Sequence, residues 1–167
     1  MDNRQAFLHE KIRNLGSAIF FNQSDAVLKL PTSIVRILHI DEYGYVWFYI
    51  QKPAQQLNEF EKEFPVKLDF FRKGLDYSLQ VLGTGRMITD PEELLVLTTN
   101  INEIKQFDPG KMILIKVKMT RADYFDNISG SKSSWLQNAI NLFQSWIFPN
   151  APGYKPTTFY PNVSEVS

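Results

Sequence analysis

The stretch of residues 32–51 constrains the fold most, because it reads as two strands joined by a tight turn. The runs 33–40 and 45–51 are rich in β-branched and aromatic residues. They flank a short acidic turn, 41–44, which ends in Gly44. This combination is a strong signal for a β-hairpin.

Apolar residues fill both faces of this hairpin. In the first strand, alternation predicts one face for Ile34, Leu38 and Ile40, and the other face for Val35 and Ile37. A sheet with one solvated face would carry a polar residue at every second position. We therefore expect the hairpin to be buried on both sides, as in a barrel wall that also meets a partner subunit.

The remaining elements are mostly strands, with helices inserted between them. Further strands are predicted over 18–21, 26–30, 66–71, 76–88 and 111–119, and helices over 4–15, 54–64, 91–99 and 102–106. Gly83-Thr84-Gly85 predicts a bulge or a sharp bend inside its strand. Strands that come in adjacent pairs favour an antiparallel barrel over a βαβ sheet.

The domain organisation follows from the same pattern. Residues 1–150 are predicted to form a single domain, which includes an amphipathic C-terminal helix at about 134–148. Residues 151–167 contain several prolines and no periodicity, so we expect an extended or disordered tail.

Composition excludes several classes of function. Lys plus Arg equals Asp plus Glu at 18 each, so bulk charge predicts no binding to nucleic acid or to an acidic membrane. The chain has no cysteine, which excludes disulfides and thiolate chemistry. His9 and His39 are too few to indicate a metal site. Without a signal peptide or a membrane-spanning run, a cytoplasmic protein is expected.

Several short motifs occur in a familiar order. The first motif is the acidic turn 41–44, which leads into the aromatic strand 46–49, and the second is a helix that ends before Pro65. Next comes Leu-Gly-Thr-Gly-Arg at 82–86, which leads to Asp90-Pro91. The segment 121–126 then follows the last strand. In this order the chain resembles the FMN-binding split-barrel superfamily, which includes pyridoxamine 5′-phosphate oxidase and the general stress protein 26 group.

That resemblance implies a mainly β fold, a six-stranded antiparallel split barrel with peripheral helices. It also implies a homodimer whose ligand clefts lie at the subunit interface, FMN as cofactor, and a flavin-dependent oxidoreductase of unknown substrate. No catalytic acid or base can be named. The cofactor-binding residues that it suggests are Arg36, Tyr49, Ile50, Gln51, Lys52, Gln55, Gln56 and Gln80.

The phosphate-binding residues of the family are replaced in this chain. Ser33 stands where FMN-binding members often have arginine, and Ala54-Gln55-Gln56 stands where a Ser-Arg-Lys type of triplet opens the helix. Arg36, Lys52 and the free N–H groups at the start of that helix are the available substitutes. Two alternatives follow: a non-enzymatic binding or interaction module that has lost its FMN phosphate contacts, or a barrel for another flat ligand such as a deazaflavin or haem.

Each candidate residue also has a purely structural explanation. Arg36 would suit a barrel rim, Gln80 a surface position, and Trp47 and Tyr49 packing in the core or at an interface. Lys52, Gln55 and Gln56 would suit a solvated first helical turn.

Overall fold

A computed structural model describes residues 3–24, 30–54 and 63–126, together with the backbone of 157–159. The predicted strand 26–30, most of the predicted helix 54–64, and the predicted C-terminal helix lie outside this part of the chain. Gln55 and Gln56 lie outside it as well.

The described residues form two α-helices, a short 3-10 helix and eight strands. The helices are α1 (Asn3–Leu15), α2 (Pro91–Asn100) and the 3-10 helix Asn102–Ile104. The strands are β1 (Ser17–Asn22), β2 (Ser33–Arg36), β3 (His39–Ile40), β4 (Tyr45–Gln51), β5 (Glu63–Phe70), β6 (Tyr77–Ile88), β7 (Met112–Asp126) and β8 (Thr157–Phe159).

All strand pairs are antiparallel, and the sheet has the order β2-β1-β5-β6-β7-β4-β3, with β8 paired to β7. Because β2 and β3 follow one another in sequence but lie at opposite ends of this order, the sheet curls back on itself. The predicted fold class, a mainly β antiparallel split barrel, is confirmed. β8 lies within the segment 151–167.

The path contains seven strands where six were predicted, because the single predicted strand 33–40 divides in two. Between β2 and β3 the backbone N–H of Ile37 donates to Gly16, and that of Leu38 donates to Trp47. The stretch 33–40 therefore pairs with β1 through its first part, β2, and with β4 through its second part, β3. This change of partner closes the curl.

The break also shifts the alternation of side chains, since one irregular residue moves every later residue to the other face. Val35 and Ile40 both lie in the barrel core, although their spacing would place them on opposite faces of a regular strand. Ile34 is 79% exposed, and Leu38 packs against a second cluster. The prediction that Ile34, Leu38 and Ile40 share one face is therefore wrong.

The barrel interior is built around aromatic rings. The ring of Phe20 on β1 lies 5.4 Å from that of Phe48 on β4 and 6.4 Å from that of Phe64 on β5, measured between centroids. On the outer face of the hairpin, Trp47 packs with Ile88 and the α2 segment in a separate cluster. This part of the outer face is covered by the chain itself.

The start of β5 corrects a predicted boundary. The predicted helix 54–64 extends too far, because its last two residues, Glu63 and Phe64, belong to β5 and pair with β6. Pro65 lies within the strand rather than before it. On the β1 side the carbonyl of Pro65 accepts the N–H of Gln23, the residue after the end of β1, at 2.9 Å, so the N–H that proline lacks falls where the pairing with β1 ends.

The predicted irregularity at Gly83 is confirmed as a β-bulge. The register between β6 and β7 shifts between Leu82 and Gly83, which leaves Thr120 as the extra residue on β7. The Thr120 hydroxyl donates to the carbonyl of Leu82 at 3.1 Å. A Cβ at Gly83 would overlap the carbonyl of Lys118, so this position requires glycine on steric grounds.

Candidate functional site

The predicted residues on β2 and β4 lie in one part of the barrel. Arg36 is exposed at the end of β2, which runs beside β4. Tyr49 is half-buried, Gln51 is exposed, and Ile50 points into the barrel core. Only the backbone of Ile50 is therefore available to a ligand outside the barrel.

Lys52 follows directly after β4 and is exposed. Its backbone N–H donates to the carbonyl of Lys111 at 2.9 Å, which fixes the chain at the point where it leaves the sheet. Arg36 and Lys52 thus supply two exposed cations on neighbouring segments.

Gln80 lies far from this group within the subunit. Tyr49 of β4 and Ile88 at the end of β6 both pair with Leu114 of β7, so they lie at the same height in the sheet. At about 3.3 Å per residue, Gln80 lies roughly 26 Å further along β6. The structure therefore brings Arg36 and residues 49–52 together but leaves Gln80 apart from them.

Gln80 belongs instead to a row of residues that crosses the outer face of the sheet. Strand register places Ile34, Ile19, Asp69, Gln80 and Asp123 side by side, on β2, β1, β5, β6 and β7 in that order. Paired residues in a sheet point to the same side. The adjacent row contains Leu68, Val81 and Ala122, which lie in the barrel core. The first row therefore lies outside the barrel.

The side chain of Gln80 is held by an ion pair on β5. Its Nε2 donates to Oδ1 of Asp69 at 3.0 Å, and Oδ2 of Asp69 lies 3.1 Å from Nζ of Lys67. The Lys67 ammonium also lies 4.1 Å from the centroid of the Phe21 ring. Asp69 thus orients the Gln80 amide and leaves the amide oxygen and one N–H of Gln80 for another partner.

Lys67 is only 1% exposed although it lies outside the barrel. Burial lowers its pKa, and the neighbouring Asp69 carboxylate opposes that shift. A buried lysine paired with one carboxylate is a costly arrangement in water-soluble proteins. It marks this face as unlike an ordinary solvated sheet surface.

A second ion pair lies on the far side of Gln80. Nε of Arg121 lies 3.0 Å from Oδ2 of Asp123, which is 4% exposed. We call the five residues Lys67, Asp69, Gln80, Arg121 and Asp123 the outer polar cluster. Its two cations and two carboxylates balance, so the cluster suits hydrogen bonding to the polar edge of a neutral ligand rather than binding of a free anion.

Sequence reasoning found Gln80 but gave no role to the other four members of the cluster. Lys67 and Asp69 alternate with core residues of β5, a pattern that normally indicates a solvent-facing side of a strand. Nothing in the local sequence indicates that this side is covered. Burial here depends on the tertiary structure.

The described ranges contain neither a cluster of metal ligands nor a membrane-spanning helix. Among residues 3–24, 30–54 and 63–126, no group of three or more His, Asp or Glu side chains is placed to hold a metal ion. None of the helices within that part of the chain is long and apolar enough to cross a membrane.

Comparison with solved structures identifies the fold. A protein related to general stress protein 26 of B. subtilis (pyridoxinephosphate oxidase family), from Clostridium acetobutylicum, superposes with a TM-score of 0.57 at 13% identity, over 82% of this chain and 99% of that chain. A general stress FMN/FAD binding protein from Xanthomonas citri gives a TM-score of 0.55 at 16% identity, over 78% and 93% of the two chains. A pyridoxamine 5′-phosphate oxidase-related, FMN binding protein from Nostoc punctiforme gives 0.53 at 7% identity, over 75% and 85%.

No protein-family model matches the sequence, and no curated protein matches it. The likeness therefore rests on the fold. The chain has the split-barrel fold of general stress protein 26 and of the pyridoxamine 5′-phosphate oxidase-related proteins.

Proposed function

We propose that this protein is an FMN-binding split-barrel flavoprotein of the pyridoxamine 5′-phosphate oxidase-like or general stress type, acting as a flavin-dependent oxidoreductase. The observation that carries the proposal is the likeness of its fold to two structures described as FMN/FAD binding and FMN binding. At these identities the likeness extends to fold alone, so the cofactor itself has to be argued from the residues.

The charges near the end of β4 fit a flavin phosphate. A phosphate monoester carries nearly two negative charges at neutral pH, and Arg36 and Lys52 supply two exposed cations on adjacent segments. Gln55 and Gln56 would add hydrogen-bond donors without charge. In this arrangement Tyr49 and the backbone of Ile50 and Gln51 would border the flavin.

Gln80 would contact the polar edge of the flavin ring through the amide oxygen and N–H that Asp69 leaves available. FMN, when bound, would supply hydride or electron transfer with a nicotinamide or another small organic substrate. The protein would supply the cleft and its orientation.

A homodimer would reconcile the separated parts of this site. Gln80 is too far along β6 to share a small ligand with Tyr49 of the same subunit, whereas a second copy could bring its own Gln80 to the flavin ring beside Tyr49. Ile34 lies in the same outer row as Gln80 and is 79% exposed, as expected of a residue covered on association. We therefore propose a cytoplasmic homodimer with flavin clefts at the subunit interface.

A non-enzymatic binding or interaction module is the second candidate. It is favoured by the replacement of the phosphate-binding positions by Ser33 and Ala54-Gln55-Gln56, and by the hydrogen bond that already joins Gln80 to Asp69. Such a protein would keep the barrel and the cleft without holding FMN.

Absorption spectroscopy separates the two candidates. The purified protein, loaded with FMN and desalted, is expected to keep the flavin bands in the near-ultraviolet and the blue. The variant Arg36→Gln/Lys52→Gln should lose them, whereas the matched control Lys105→Gln/Lys118→Gln, which removes two exposed cations elsewhere, should keep them. A wild type that releases all FMN, together with a Gln55→Arg/Gln56→Lys variant that retains it, would establish the second candidate instead.

A further inference from the structure

Four cationic side chains line one cleft at an end of the barrel. The cleft lies between the last turns of α1 and the tight turn that joins β5 to β6, and its volume is about 590 Å³. Its charged lining consists of Lys11 and Arg13 from α1 and Arg72 and Lys73 from the turn. Among the residues predicted for flavin binding, none of those that the structure describes lines it.

This concentration of charge is local, because the whole chain carries equal numbers of cations and anions. No carboxylate is among the lining residues that belong to the described ranges. Within the described ranges, no salt bridge joins Arg13, Arg72 or Lys73 to an acid, and the one ion pair of Lys11 is with Glu10 at 3.8 Å. The Glu10 side chain is 65% exposed, so this pair neutralises little.

Two of the cations are held in place before any ligand arrives. Nη1 of Arg72 donates to the carbonyl of Asn14 at 2.9 Å, which leaves its other N–H groups free to bind. Nζ of Lys11 lies 4.8 Å from the centroid of the Tyr77 ring and 5.2 Å from that of Phe7. Fixed donors bind an anion with a smaller loss of conformational entropy.

Capping of α1 accounts for only part of this charge. The C-terminus of a helix carries about half a negative charge, and Arg72 already satisfies its Asn14 carbonyl. Arg13 in the last turn of α1 and Lys11 over the Tyr77 ring also have structural contacts, but Lys73 adds a further like charge to the same cleft. A bound polyanion would relieve the repulsion among these like charges.

We propose that this cleft binds a small molecule that carries a diphosphate or triphosphate group. Four positive charges call for a ligand with more than one anionic group. The cleft volume is within the usual range for small-molecule sites, and the four cations come from two short segments around one open cleft rather than from a long stripe, which favours a small ligand over a nucleic acid.

Isothermal titration of the full chain with inorganic tripolyphosphate at low ionic strength tests the proposal. The variant Arg13→Gln/Lys73→Gln leaves the Arg72 contact to α1 intact and is expected to weaken binding by about tenfold or more, since the two lost charge-assisted contacts together are worth at least that factor. The control Lys105→Gln/Lys118→Gln makes the same change in net charge away from the cleft and should bind as the wild type does.

Three results would overturn the proposal. The first is a wild type that does not bind tripolyphosphate. The second is an equal loss of affinity in both double variants, which would mean attraction by bulk charge. The third is a single-stranded oligonucleotide that binds more tightly than tripolyphosphate and loses its affinity in the cleft variant, which would make the cleft part of a nucleic-acid surface. Because FMN retention is measured separately by absorption, failure here leaves the flavin proposal intact.

Discussion

Nζ of Lys67 lies 3.1 Å from Oδ2 of Asp69, on the outer face of β5, with only 2% and 14% of the two side chains exposed. The free energy needed to remove two charges from water can exceed their mutual attraction, so a buried ion pair adds little to the stability of the fold. The pair is nevertheless sensitive to loss of one partner, because the other charge then remains buried alone.

We predict an asymmetric response to removing each partner. Asp69→Asn removes the carboxylate charge that lies 3.1 Å from the buried Lys67 ammonium and should lower the free energy of unfolding by about 3 kcal/mol. Lys67→Met leaves the Asp69 carboxylate, whose side chain is 14% exposed and accepts a hydrogen bond from Gln80, and should therefore cost less, about 1 kcal/mol. Urea unfolding followed by circular dichroism measures both.

The double variant Lys67→Met/Asp69→Asn serves as the control for that comparison. It should recover most of the stability that Asp69→Asn alone loses, because no charge is then left buried. Equal destabilisation by the two single variants would contradict the buried ion pair as the cause.

Gly83 gives a second prediction. A Cβ at this position would meet the Lys118 carbonyl and the Val117 side chain, both on the neighbouring strand. Gly83→Ala should therefore force β6 and β7 apart at the bulge and destabilise the protein by about 1–3 kcal/mol. Gly110→Ala is the matched control, because its Cβ would meet only the movable Asp108 side chain at 3.2 Å. Thermal unfolding that affects both variants alike would refute the steric argument.

The pH dependence of stability should reflect His9. Burial lowers the pKa of His9 from 6.5, with a further lowering by Arg13 and His39 that Asp41 opposes. The unfolded chain then binds the proton more readily than the folded protein does. Protonation of His9 therefore does not change stability above about pH 6.5. Below that pH the free energy of unfolding falls as the pH drops toward the folded-state pKa of His9.

The loss due to His9 can reach about 1.4 kcal/mol per pH unit within that window. We expect the free energy of unfolding of the wild type to decrease between neutral pH and mildly acidic pH more steeply than that of His9→Leu, which cannot titrate. Parallel curves for the two proteins would show that His9 is not the group responsible.

The local sequence predicted the hairpin, the α2 start and the Gly83 bulge, because each depends on neighbouring residues alone. It could not predict the break at Ile37 and Leu38, where the chain changes partner from β1 to β4. That exchange is set by closure of the barrel. The local sequence also could not place Pro65 inside β5, because proline is tolerated there at the end of the pairing with β1, where the Pro65 carbonyl accepts the N–H of Gln23.

In the candidate site, too, the local sequence indicated some residues, whereas others depend on the tertiary structure. Exposed Arg36 and Lys52 were identified from their types and places in the chain. Lys67 was not, because an alternating charged residue on a strand ordinarily faces water. Only the assembled structure shows it 1% exposed and paired with Asp69.

The cap of α2 provides the last prediction. Asp90 precedes Pro91, and its Oδ1 accepts the backbone N–H of Glu92 at 2.9 Å. The helix that starts here places Leu94 and Leu97 against Trp47 on the outer face of the hairpin. Asp90→Ala should therefore cost about 1 kcal/mol, while Asp90→Ser, which can still accept this hydrogen bond, should cost less. Amide hydrogen exchange over residues 91–100 is the measurement, because a loss of that size accelerates local opening about fivefold. Should Asp90→Ser exchange as fast as Asp90→Ala, the side-chain cap would not be what holds α2 in place, and its docking would depend on the apolar contacts with Trp47 alone.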